Sequence, residues 1–85
     1  MPYEIETDDL KTKEDFIAFL DFFYKDYLKN KDKWENNTLE LFLEAMIAYT
    51  EDIQGMYDNQ KSGVDSNEAS WRVFADIMCG AAIYE

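Results

Sequence analysis

Hydrophobic positions recur at helical spacing along most of the chain, in three blocks separated by polar breaks. The first block opens at Thr12, a good N-cap residue, with Glu14 and Asp15 in the first turn, where a helix dipole favours negative charge. At 100° per residue, Phe16, Ile17, Phe19, Leu20, Phe23, Tyr24, Tyr27 and Leu28 share one broad apolar face. Asp21 and Lys25 lie opposite, and Phe22 falls off the main face beside Asp26. Lys29, Lys31 and Lys33 gather at or after the C-terminal end, where positive charge is favourable. A helix over about 12–30 is predicted.

The break Trp34-Glu35-Asn36-Asn37 leaves Asn37 or Thr38 as the next N-cap, with Glu40 in the first turn. Leu39, Phe42, Met46, Tyr49 and Ile53 then recur at three–four spacing, widened by Leu43 and Ile47. A second helix over about 37–57 follows, fading near Gly55 or persisting weakly through Tyr57. Asp58 to Ser66 is a loop by composition. The third helix, about 67–84, begins between Ser66 and Ser70. Trp71, Phe74, Ala75, Met78, Ala81 and Ala82 make its face, while Val73, Ile77, Ile83 and Tyr84 place apolar groups on its other sides. Only the i,i+4 pair Arg72 and Asp76 reads as clearly solvated. A helix apolar nearly all round is buried between neighbours or shared with a partner. Gly80-Ala81-Ala82 would admit a second helix closely, so a homodimer through the third helix is one expectation. Residues 1–11 read as an acidic lead-in, with Tyr3 and Ile5 alternating with Glu4 and Glu6 in a short extended segment. The expected fold is all-α: a single domain over 1–85, a compact three-helix bundle with room for a short fourth helical turn.

Composition makes that core affordable. A chain of 85 residues buries only about 60–65% of its unfolded surface, so its stability margin is thin. Six Phe, six Tyr and two Trp compensate, each removing roughly 150–250 Å² from water when buried. The one cysteine, Cys79, cannot form an intramolecular disulfide, and its apolar helical setting predicts a buried, inert thiol. The segment from Met1 to Glu6 lacks the basic and apolar regions of a signal peptide, and no run reaches the roughly 20 apolar residues of a membrane span. A cytoplasmic setting is the resulting expectation.

The net charge of −11 changes the picture most. It argues against nucleic acid and against anionic membrane surfaces, which both require a basic face. From Trp34 to Gln60 there is no Lys or Arg, while Glu35, Glu40, Glu44, Glu51, Asp52 and Asp58 supply six negative charges. Glu40, Glu44 and Glu51 fall on one line beside the core face. That line reads either as a docking strip for a basic protein partner or as a solvated face relieved by lysines of the first helix.

Chemistry finds less support. The chain has no histidine, so a Glu/His di-metal bundle site and a zinc site both lack ligands, and no metal or other cofactor is expected. Asp58 to Glu68 echoes an EF-hand, with an acid at position one and Gly63 at position six. The register then fails, because Ala69 stands where the bidentate Glu belongs. There is no G-x-S-x-G, no P-loop and no histidine base, and adjacent acids such as Glu51-Asp52 point apart on a helix. Catalytic residues are therefore not assigned, and the expectation is a protein that is not an enzyme.

Trp34-Glu35-Asn36-x-x-Leu39-x-x-Phe42-Leu43-Glu44-Ala45, then Trp71-x-x-Phe74-Ala75-Asp76 and terminal Tyr84-Glu85, resembles an uncharacterised bacterial family of short acidic helical proteins, a domain of unknown function. The resemblance covers roughly residues 12–85 and implies a bacterial, cytosolic origin without assigning an activity. Its polar and indole groups, Trp34, Glu35, Asn36, Trp71, Asp76 and Glu85, are expected to meet as one structural cluster at a bundle end. At the level of class alone, length and charge are similar to those of small acidic immunity proteins that neutralise basic nucleases. The leading expectation is a non-enzymatic interaction module using Glu40, Glu44, Glu51, Asp52, Leu41 and Phe22, with Tyr57 nearby. The alternatives are a small ligand- or metal-responsive domain built on the Trp34/Trp71 and Glu35/Asp76 cluster, and a structural homodimer.

Overall fold

A computed structural model describes residues 7–84 as three α-helices joined by short connections. Helix α1 (Lys13–Asn30) starts at the predicted Thr12 cap and forms a full capping box. The Thr12 hydroxyl accepts from the Asp15 backbone N–H at 3.1 Å, and the Asp15 carboxylate accepts from the backbone N–H groups of Lys11 and Thr12. Those donors, the Lys11 N–H foremost, hold the Asp15 carboxyl below its ordinary range. A single 3₁₀ turn, Lys31–Lys33, is the short fourth helical element.

Helix α2 (Leu39–Gln60) is capped by Thr38, whose hydroxyl accepts from the Leu41 N–H. It does not fade at Gly55. Ile53 and Tyr57 are both 1% exposed and pack on Val73, and burial of that last stretch outweighs the poor helix propensity of one glycine. The helix ends where Lys61 turns into the left-handed region, φ 54°, its N–H bonded back to Asp58 and Tyr57 carbonyls.

Helix α3 (Trp71–Ile83) begins later than the earliest predicted start, at a Ser70 cap whose hydroxyl accepts from the Val73 N–H. The residues before it are held instead by Gln54 of α2. Its side-chain amide donates to the Val64 carbonyl and its side-chain oxygen accepts from the Ser66 N–H. Asp58 to Gln60 are helical and Asp65 accepts from the Asn67 N–H in a local turn, so the stretch with the EF-hand echo is a helix end and a turn.

The core lies on two sides of α3. On the α1 side, Phe19, Phe23, Trp34, Ala75 and Ala82 form a buried cluster joined by Phe16, Phe42 and Met78. On the α2 side, Ile53, Tyr57 and Val73 form a second, joined by Tyr49 and Ile77. Helices α1 and α2 nowhere come within 8 Å Cα to Cα among the described residues. The last helix is therefore the central one: Val73, Ala75, Ala81 and Ala82 are buried within the chain, while Phe74 and Ile83 stay exposed. Gly80 lets α2 approach: a Cβ there would overlap the Tyr49 ring. Ala81 and Ala82, next to it, are fully buried.

The expected extended alternation of Tyr3 to Glu6 lies outside the described residues. Thr7 to Leu10 make a turn, with the Leu10 N–H bonded to the Thr7 carbonyl and Leu10 packed on the core. Several side chains of the predicted apolar faces stay in water, among them Leu20, Tyr24 and Leu28 on α1 and Leu39, Leu43 and Ile47 on α2.

Candidate functional site

Helix α2 carries the acids. Its buried positions Ala45, Ile53 and Tyr57 define a core-facing line, and at 100° per residue Glu40, Glu44 and Glu51 lie opposite that line rather than beside it. All three are exposed. Among the described residues no ion pair reaches any of them; the pairs formed are Lys25 with Asp21, and Arg72 with Asp8 and Asp76. No lysine of α1 comes within 4 Å of the crest carboxylates among the described residues. Asp52 is placed differently, accepting a hydrogen bond from the Tyr84 hydroxyl and holding that phenol above its ordinary range.

A surface depression of about 330 Å³ runs beside the crest, between α2 and the chain ends that flank α3. Glu35 and Glu44 stand on its rim, Leu41, Ala45 and Ala48 give it an apolar lining, and Asn36 and Tyr84 close it. Asn36 builds this place. Its side-chain amide donates to the carbonyls of Ala81 at 2.8 Å and Tyr84 at 2.7 Å, and its backbone N–H to Ala82. It so satisfies the C-terminal carbonyls that a helix leaves open. Sequence reasoning singled out Glu35, Asn36, Leu41 and Glu44 in two separate groups, and the fold brings the two together.

The remaining members of those groups are scattered. Phe22 sits on the outer side of α1 in a shallow dip lined by α1 residues alone, away from the acidic crest. Tyr57 is buried, its hydroxyl donating to Asp76 at 2.6 Å. Trp34 packs between Phe23, Tyr27 and Phe42, its indole N–H donating to Asp26 at 2.8 Å. Trp71 packs tilted on Phe16 and edge-to-face on Phe74 at the start of α3, about 15 Å along the helix from Ala81, where Asn36 is bound. The expected single cluster is thus divided among separate places, because its members meet different ends and faces of α3. Glu85 lies outside the described residues.

Asp76, read both as solvated beside Arg72 and as a member of the structural cluster, is the centre of a sequestered network. Thr7 donates to it at 2.6 Å, Tyr57 shares its second oxygen with Arg72 Nε at 3.4 Å, and Arg72 reaches on to Asp8 at 3.2 Å. Burial, then the bond to Asp76, raises the Tyr57 phenol far above its usual value. Thr7, Tyr57 and Arg72 each donate to the same carboxylate, which makes this a fold-holding network. Thr7 carried no sequence signal, and Tyr84 entered only as an apolar position and part of the family pattern, since each bonds to a partner remote in the chain.

Burial, with the Asp76 and Asp26 carboxylates adding to it, pushes the half-buried Cys79 thiol up to about 12, far from a nucleophile's range. Among the described residues no three of Cys, Asp and Glu gather where they could hold a metal ion. Nor is any helix long and apolar enough to cross a membrane.

No curated protein and no solved structure matches the chain. Residues 12–85 match the model of a family of unknown function (DUF7660), and the chain belongs to that family.

Proposed function

We propose that this DUF7660 member is a non-enzymatic protein-interaction module that presents the α2 acidic face to a basic protein partner, in an immunity-like or regulatory role. The observation that carries this reading is the depression beside the crest. Its apolar lining of Leu41, Ala45 and Ala48 suits the methylene stem of a lysine or arginine, and its Glu35 and Glu44 rim suits the cationic head. Glu40 and Glu51, which make no ion pair among the described residues, extend the negative field along the same helix. A field of this kind speeds encounter with a basic surface and is screened over about 8–10 Å at ordinary ionic strength. A reducing, cytoplasmic setting suits the single half-buried thiol.

The test begins with affinity isolation from the source organism, followed by binding kinetics on the purified partner. Glu35→Gln with Glu44→Gln is expected to weaken the complex roughly tenfold, and Glu40→Lys with Glu44→Lys to abolish fast association. The association rate should also fall steeply between 50 and 500 mM salt, to be read as a roughly hundredfold range at most. A partner that binds all three proteins equally and ignores salt would remove the proposal.

A further inference from the structure

The flank of α2 away from the depression beside Glu44 is apolar, and α1 carries an exposed row of the same spacing. Leu39, Leu43 and Ile47 recur every four residues, Leu39 being 72% and Ile47 67% exposed. Leu20, Tyr24 and Leu28 recur at the same spacing on α1, with Tyr24 60% and Leu28 63% exposed. A depression of about 280 Å³ lies between the helices, with Tyr24 and Leu39 both on its lining and the aromatic side chains of Phe23, Trp34 and Phe42 beneath. The two helices are tied at one end, where the Tyr27 hydroxyl donates to the Asn37 carbonyl at 2.9 Å and the Phe23 and Phe42 rings lie 6.2 Å apart, while no Cα of one comes within 8 Å of the other.

We propose that this groove binds an amphipathic helix of the partner, its apolar side lying between the two rows and its basic side over Glu40, Glu44 and Glu51. The inference rests on the acidic-face reading and names the element that face recognises. Two rows at i, i+4, i+8 spacing suit a helical occupant, whose own apolar stripe has the same periodicity. Six large apolar side chains in paired rows also exceed the isolated exposed leucines that a folded surface normally carries. Charge decides between a foreign helix and a second copy. The crest borders the Leu39, Leu43 and Ile47 row on its solvent side, and no base occurs from Trp34 to Gln60. A second copy brings another net charge of −11 to that border, whereas a basic helix brings the complementary sign.

The experiment titrates the full chain with three labelled synthetic peptides of equal length, read by fluorescence anisotropy. One carries Leu at i, i+4, i+7 and i+11 with Lys elsewhere. The second keeps those leucines and replaces Lys by Glu, and the third has the Leu and Lys of the first scattered around the helix. The first is expected to bind at least tenfold more tightly than either control. Leu43→Ser with Ile47→Ser should weaken it at least tenfold while leaving the thermal midpoint unchanged, since both side chains are exposed. Equal affinity for the amphipathic and scattered basic peptides, or indifference to Leu43→Ser with Ile47→Ser, would overturn the groove. The depression beside Glu44 would survive that result if Glu35→Gln with Glu44→Gln still weakened the basic peptides. Sedimentation equilibrium supplies the last arm: a dimer that Leu43→Ser with Ile47→Ser dissolves would give the groove to a second copy and overturn the foreign helix.

Discussion

Asn36 closes the end of α3 from a connection more than forty residues earlier, and its two amide bonds have no substitute. Asn36→Ala leaves the Ala81 and Tyr84 carbonyls without that donor, at a cost of about 1–3 kcal/mol. Thermal denaturation should show a midpoint lower by roughly 4–8 °C per kcal/mol, and an unchanged midpoint would mean other donors supply the cap. The titrating groups on either side of α3 make a second residue-scale prediction. Burial raises Tyr49, Tyr57 and Cys79 above their ordinary values, so each is neutral in the folded chain over a wider range than in the unfolded one. The stability they contribute is fully present below the unfolded pKa values of about 8.5–10 and is lost as pH rises through the folded ones. Midpoints recorded from pH 7 to 11 should stay level to about pH 8.5 and then fall continuously. A level profile through pH 11 would contradict the burial of these groups.

At the scale of the element, periodicity and caps were readable because they are local. Thr12, Thr38 and Ser70 cap the three helices through their own hydroxyls, and all were within the candidates that sequence supplied. What periodicity could not supply was the allocation of each apolar side chain to core or water. Leu43 and Ile47 widen the α2 stripe as Met46 does, yet only contact with α3 decides which are covered, and α3 is a narrow neighbour. The same limit divided Trp34, Asn36, Trp71 and Asp76, which spacing alone could not assign to different ends of one helix. The two helical glycines illustrate how contact overrides propensity. A Cβ at Gly55 would meet nothing within 4 Å, so Gly55→Ala should add about 0.5–1 kcal/mol. Gly80→Ala would drive a methyl into the Tyr49 ring, dislodging it from Tyr84 and Met56, and should cost about 1–3 kcal/mol. Urea denaturation of both variants checks the pair, and the same sign for the two would refute the close approach of α2 to α3.

The whole molecule is organised around the helix that comes last in the chain. Thr7 bonds to Asp76 across 69 residues, Asn36 to Tyr84 across 48, and both core clusters need side chains of α3. Without it helices α1 and α2 keep only the aromatic contacts of Phe23, Trp34 and Phe42 at one end. During synthesis α1 and α2 therefore emerge before the helix that supports them, and wait several seconds at about 5–20 residues per second for it to leave the exit tunnel. A fragment covering 1–62 should accordingly show a coil-like circular dichroism spectrum and no cooperative melt, and adding a peptide covering 66–85 should restore both. For a nascent chain this means that folding is a single late event, with every premature stop before α3 yielding a substrate for proteolysis instead of a partial protein.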